Sequence, residues 1–201
     1  MKKIIVAIVL VFGVVSLHAQ DKLLFKVGYN PGFPVGSFKD FIGKNSFRGY
    51  IGELAYPVND RLKVGLGVSF NDFYEKQPRQ LYHLPEGTVS AVVSNSIKTT
   101  PILIKAAYDL TKTGWIRPYA GIGAGFNLVS YAQYFGEFGE RKSKFKPAAA
   151  AEAGINIPFN KETRASGVNI GAHFNYLPFK AGDLNNLNNW GLHAAVFFPL
   201  R

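Results

Sequence analysis

Trp115-Ile-Arg-Pro-Tyr-Ala-Gly-Ile-Gly-Ala-Gly-Phe-Asn-Leu128 is the stretch that decides the fold. From Ala120 onward its residues alternate. Ala120, Ile122, Ala124, Phe126 and Leu128 fall on one side, and Gly121, Gly123, Gly125 and Asn127 on the other. A strict period of two marks a β-strand, because successive side chains of a strand point to opposite faces. The second side is almost bare, where a solvent-washed strand would carry lysine, glutamate or threonine. Glycine there fits a strand lining a crowded, sharply curved interior.

Seven further alternating segments lie around it, at roughly 23–31, 47–58, 62–73, 97–110, 145–159, 167–177 and 190–198. The cleanest sets Leu62, Val64, Leu66, Val68 and Phe70 against Lys63, Gly65, Gly67, Ser69 and Asn71. Ala148–Ala151 favours helix by propensity, yet Gly154-Ile-Asn-Ile-Pro-Phe159 continues it in period two, so the segment reads as strand. The connections alternate in length. Short turns follow the second, fourth and sixth segments, and long loops are expected at 32–45, 74–96 (where Thr88–Val93 could extend a strand), 132–144 and 178–189. That asymmetry, with segments of about 9–14 residues, suits an all-β, eight-stranded antiparallel up-and-down transmembrane β-barrel.

A soluble lipocalin-like barrel shows the same period, and the faces separate the two. The face that would meet water in a soluble barrel here carries Gly, Asn, Ala and isolated ionisable groups. The apolar face has rings near its ends (Tyr29, Tyr56, Phe70, Tyr108, Trp190, Phe198), as the two interfacial girdles of a membrane barrel require. Ile122, Phe126, Val168, Ile170, Phe174, Leu192 and Val196 are therefore expected to face lipid. Lys26, Glu53, Lys63, Lys105, Arg117 and Glu152 are expected to form a polar network in the lumen. An eight-stranded interior is only wide enough for side chains.

The chain has 201 residues, no cysteine and a formal charge of +10, with 18% charged and 14% aromatic residues. Lys2 and Lys3, the apolar run Ile4–Val15 and the Ser16–Gln20 segment read as a signal peptide over 1–19, cut after Ala19, which leaves one barrel domain over 20–201. Without cysteine there is neither a disulfide framework nor a lipid anchor. No Lys/Arg run exceeds two, so the basic surplus does not describe a nucleic-acid arm. It fits lipid headgroups and lipopolysaccharide phosphates as partners, and equally well lysines scattered in solvated loops.

The Trp115–Gly125 pattern W-x-R-P-Y-x-G-x-G-x-G, preceded by Thr100-Pro-Ile-Leu-Ile-Lys105, resembles the hallmark hairpin of small outer-membrane β-barrel proteins. These include OmpA-like and OmpX-like barrels and the PorT-like barrel proteins of Bacteroidetes. The resemblance implies an integral protein of the Gram-negative outer membrane, delivered by the outer-membrane insertion machinery, and permits an accessory role in secretion or motility. Barrels of this kind usually end on an aromatic residue. Here Phe198 is followed by Pro199-Leu-Arg201.

Catalytic chemistry finds little support. Gly121-x-Gly-x-Gly125 lies within a strand and opens no helix, so it is no phosphate cradle. His173 and His193 would share the lumen on neighbouring strands, without the third ligand a metal site needs and without the serine of a barrel hydrolase. No enzyme, cofactor or metal is expected. The expected role is structural or surface-interacting, and the alternative is a narrow pore for small solutes.

Overall fold

The computed structural model describes residues 23–78, 80–84, 87–112, 114–135, 138–160, 166–181 and 184–200. The expected signal peptide lies outside the described residues. Alternation becomes strand throughout. In chain order the elements are β1 (Leu24–Tyr29), β2 (Gly32–Pro34), a short helix α1 (Ser37–Phe41), β3 (Gly49–Pro57), β4 (Leu62–Lys76), β5 (Gln80–Leu84), β6 (Gly87–Ala91) and β7 (Val93–Asp109). There follow β8 (Arg117–Phe135), β9 (Phe138–Pro158), β10 (Gly167–Tyr176), β11 (Pro178–Ala181), β12 (Leu184–Asn186) and β13 (Asn189–Pro199).

Eight of these close a ring in the order β1-β3-β4-β7-β8-β9-β10-β13, and β13 returns to β1 through antiparallel pairs from Leu24↔Pro199 to Tyr29↔Ala194. Closure leaves the ring no free edge, which is what allows strands to cross lipid with every ladder group paired. Beyond Asn30-Pro31, β2 continues the line of β1, pairing Gly32–Pro34 with Gly191–Asn189. The β3–β4 turn is fixed by Asn59, whose Oδ1 accepts hydrogen bonds from the backbone N–H of Arg61 (2.9 Å) and Leu62 (2.8 Å). The β7–β8 turn uses Gly114 at φ 122°, a conformation costly for a residue with a Cβ.

The expected loops at 74–96 and 132–144 are mostly strand. β4 runs on to Lys76, β5 and β6 form their own hairpin, and the β8–β9 ladder persists to Phe135↔Phe138. Outside the bilayer both faces of a hairpin meet water, so the apolar alternation fades while backbone pairing continues. The loops at 32–45 and 178–189 also hold structure, namely β2 with α1, and the β11–β12 hairpin. Ala148–Ala151 is strand, within β9.

The buried apolar core is the larger departure. Phe38 and Ile42 from the α1 segment meet Leu177, Phe179, Leu184 and Leu187 from the β11–β12 segment. Both groups rest on inward side chains of the wall, Phe73, Ile97, Leu103, Val129 and Ala148. Phe38 and Phe73 pack edge to face, with centroids 4.7 Å apart. The interior at the long-loop end is thus apolar. The sequence face reads as polar because half of this cluster comes from connections that carry no strand period.

Outside, rings mark both rims. Tyr29, Tyr50 and Phe70 are cross-strand neighbours at the long-loop end. Phe25 and Phe198 pack edge to face at the other end, with centroids 5.5 Å apart. Above the first row the outer face turns polar, with Asp72 opposite Lys98 and Lys98 opposite Ser130.

Candidate functional site

All six expected lumen residues project into the ring. Lys26, Glu53, Lys105, Arg117 and Glu152 are buried, and Lys63 is half-buried. Lys26 Nζ lies 2.8 Å from Glu53 Oε2, and Lys105 Nζ bridges Glu53 Oε2 (2.6 Å) and Glu152 Oε2 (2.5 Å). β3 and β9 are four places apart in a ring of eight, so Glu53 and Glu152 stand on opposite walls. Lys105 on β7 ties them across the interior. Charges taken out of water persist only when paired at such distances.

The glycines of the inward face make this possible. A Cβ on Gly67 would sit 2.5 Å from Lys105 Cδ, and one on Gly123 3.1 Å from Lys105 Cγ. One on Gly121 would lie 3.1 Å from Glu152 Cγ, and one on Gly171 2.8 Å from His193 Cε1. Each bare position beds a long side chain of a neighbouring strand. Gly125 serves differently, for there the Ile102 carbonyl oxygen occupies the Cβ position and the two backbones close up.

Towards the short turns a second cluster forms around Asp109, which pairs with Lys63 Nζ at 2.7 Å and with Arg117 Nη2. Asn156 Nδ2 donates to Asp109 Oδ1 (3.3 Å), and Asn169 Nδ2 donates to Asn156 Oδ1 (2.7 Å). Tyr119 OH donates to Asn169 Oδ1 (3.4 Å) and lies 3.1 Å from His193 Nε2, while His193 Nδ1 lies 3.4 Å from His173 Nδ1. Sequence reading missed Asp109, Tyr119, Asn156 and Asn169. Asp109 was within reach, as it is the next member of the inward series Leu103, Lys105, Ala107. Four cations (Lys26, Lys63, Lys105, Arg117) meet three carboxylates (Glu53, Asp109, Glu152), a net of +1 for the two clusters.

Above the charges lies an amide layer. Asn71 Nδ2 donates to the Asn30 carbonyl (2.7 Å) and Asn175 Nδ2 to Asn189 Oδ1 (3.0 Å), beneath the apolar cluster. Two cavities beside the charged clusters are small. A cavity of about 30 Å³ touches Glu53, Lys105, Glu152 and His173, and one of about 40 Å³ touches Lys26, Lys63, Asp109 and Tyr119. Neither exceeds the size of a few water molecules. Glu152 Oε1 and His173 Nε2, both buried beside the first cavity, have no protein hydrogen-bond partner. His173 and His193 do come together, but among the described residues no three His, Cys, Asp or Glu side chains converge as a metal site would need.

Ile122, Phe126, Ile170, Leu192 and Val196 are exposed on the outer face. Val168 and Phe174 are half-covered by outward neighbours: Val168 pairs with Ile157 and Val196, and Phe174 stacks on Trp190 at 5.0 Å. A closed ring with an apolar outside and an ion-paired inside is a membrane-spanning β-barrel. The profile of the outer membrane protein beta-barrel domain matches residues 7–198.

The chain belongs to that family.

This outer-membrane barrel resembles two solved structures in particular. One is the outer membrane protein OprG from Pseudomonas aeruginosa, with TM-score 0.53 and 13% identity over 90% of this chain and 96% of that one. The other is Neisserial surface protein A, with TM-score 0.52 and 14% identity over 88% and 95%. At such identities the likeness concerns the fold. Comparison with curated protein sequences gives no match. The protein is integral to the outer membrane, and its ring closes with eight strands as expected.

Proposed function

We propose that this outer-membrane barrel is a non-conducting envelope protein whose lumen is closed and whose long-loop end is presented for surface interactions. The observation that carries the reading is the chain Lys26–Glu53–Lys105–Glu152, which runs from β1 and β3 across to β9. An ion entering from the short-turn side meets that chain, and the two cavities beside the charged clusters are water-sized. The apolar cluster of α1 and the β11–β12 segment stands above as a second barrier. Hydrated ions do not cross such a layer without opening it, because a charge moved into apolar surroundings loses its hydration.

No reaction is assigned: Glu53, Asp109 and Glu152 are held in ion pairs, and Glu152 Oε1 and His173 Nε2, which have no protein partner, stand beside a water-sized cavity. The partners are outer-membrane lipids, lipopolysaccharide and the insertion machinery that reads the last strand, and the signal segment is removed after Ala19 before insertion. Planar-bilayer recording tests the reading. Wild-type protein should give no stable stepwise conductance while still showing the heat-modifiable gel shift of a folded barrel. Stable unitary conductance from such folded protein overturns it in favour of a narrow pore.

A further inference from the structure

The two short turns on either side of the β4–β7 pair carry charges outside the two lumen clusters. Arg61, at the start of β4, swings to the outside. Its Nη1 donates to Tyr108 OH at 3.1 Å, and its guanidinium lies 5.9 Å from the Tyr108 ring centre. Lys112, in the neighbouring β7–β8 turn, reaches Asp60 at 3.7 Å, a loose pair between exposed groups. Asn59, Asp60, Arg61, Tyr108 and Lys112 line an open, shallow cleft of about 600 Å³. Two cations against one carboxylate leave the cleft at +1.

The surroundings are apolar. Val58, Leu110, Trp115 and Ile116 are more than half exposed on the same two turns. Directly above, Leu66, Ile104 and Ile122 are exposed on the outer face of β4, β7 and β8. In a barrel of this kind the short turns lie at the periplasmic rim. The rings and exposed aliphatic side chains therefore sit where acyl chains begin, and the two cations sit at headgroup depth.

We propose that this cleft is a binding site for a phospholipid of the periplasmic leaflet, with the lipid phosphate between Arg61 and Lys112 and the acyl chains along β4, β7 and β8. Arginine suits the role because its planar fork engages phosphate oxygens while its face rests on an aromatic ring. Tyr108 holds the fork at the rim instead of letting it collapse onto solvent. Asp60 opposes the ligand and limits its affinity, so lipids with a net negative headgroup are favoured only as far as the +1 balance allows.

The test uses the full-length protein, folded in detergent and titrated with phosphatidylglycerol or with diacylglycerol of the same acyl chains, read by native mass spectrometry. Phosphatidylglycerol should be retained over diacylglycerol. Retention should weaken about fivefold in R61Q or K112Q and about thirtyfold in the double variant, as the usual contribution of one surface cation to anionic-lipid binding requires. D60N should strengthen it. Glutamine keeps the stem packing of both residues, and the heat-modifiable gel shift checks that each variant is folded. For wild type alone, raising the salt concentration should also weaken retention, since exposed charges are screened. Equal retention of diacylglycerol, no loss in R61Q/K112Q, or indifference to salt overturns the proposal.

Discussion

Replacing Lys105 with Met removes the ammonium that joins opposite walls of the barrel and keeps most of the side-chain volume. Its partners fare unequally. Glu53 retains Lys26 at 2.8 Å. Glu152 loses the 2.5 Å contact that satisfies Oε2, and its Oε1 already lacks a partner. A buried carboxylate then stands without its cation, a change that usually costs about 3–5 kcal/mol. Removing both members should cost far less, because a buried pair exchanged for apolar side chains of similar size is often near neutral. Lys105→Met/Glu152→Leu is therefore expected to lie within about 2 kcal/mol of wild type, well above the Lys105→Met single variant. Urea unfolding of the barrel in lipid vesicles, followed by the gel shift between folded and unfolded forms, measures both, and the double-mutant cycle isolates the coupling. A Lys105→Met cost below about 1 kcal/mol, the scale of an exposed surface pair, would refute the buried-network reasoning. So would a double variant no more stable than the sum of the singles.

Gly67→Ala places a methyl 2.5 Å from Lys105 Cδ and should cost about 1–3 kcal/mol as overpacking does. Gly52→Ala, whose Cβ meets nothing within 4 Å, should leave stability unchanged or raised by up to about 1 kcal/mol. The same urea titration compares them, and equal effects would remove the packing role given to Gly67. Ile122→Arg puts a cation on the outer face amid the apolar band and should cost about 2–4 kcal/mol in vesicles, while a negligible cost would contradict lipid contact at that position. Spin labels complement it: Ile122 and Phe126 labels should be accessible to a lipid-soluble relaxant and an Asn127 label should not. Phe38→Ala removes a fully buried ring of the upper cluster, a change of about 3 kcal/mol or more. The α1 segment should then become about a hundredfold more sensitive to protease while the gel shift persists, and unaltered cleavage would show that the ring does not hold the segment down.

The strands were legible because lipid imposes one rule on every outward position. From Ala120 to Leu128 each even residue is apolar, and those five residues read correctly as an outer face without any knowledge of neighbours. The interior obeys a different rule, that of complementarity across the ring, and that is only half written in a single strand. Lys105 announces itself as an inward cation. That its partners are Glu53 and Glu152 follows from register and ring order, which no local pattern contains. Tyr119 and the asparagines at 156 and 169 look like neutral fillers until the register brings them between Asp109 and His193. The least legible part was the apolar cluster. Phe38, Leu184 and Leu187 lie in connections with no period to read, and their burial depends on two loops, 150 residues apart in sequence, folding back over the same opening.

Glycine joins the two levels. On the inner faces of β4 and β8 it gives up the packing a side chain would offer, yet Gly67, Gly121 and Gly123 leave the space that lets Lys105 and Glu152 lie flat across the interior. With alanine at these positions the two long side chains would be driven towards the axis, and the contacts of 2.5 and 2.6 Å that join the walls would be harder to keep. The bare face and the ion chain are then one feature seen from two strands. Lys105 reaches Glu53 past β4 and Glu152 past β8, so the glycines of those two strands lie on the path of its side chain.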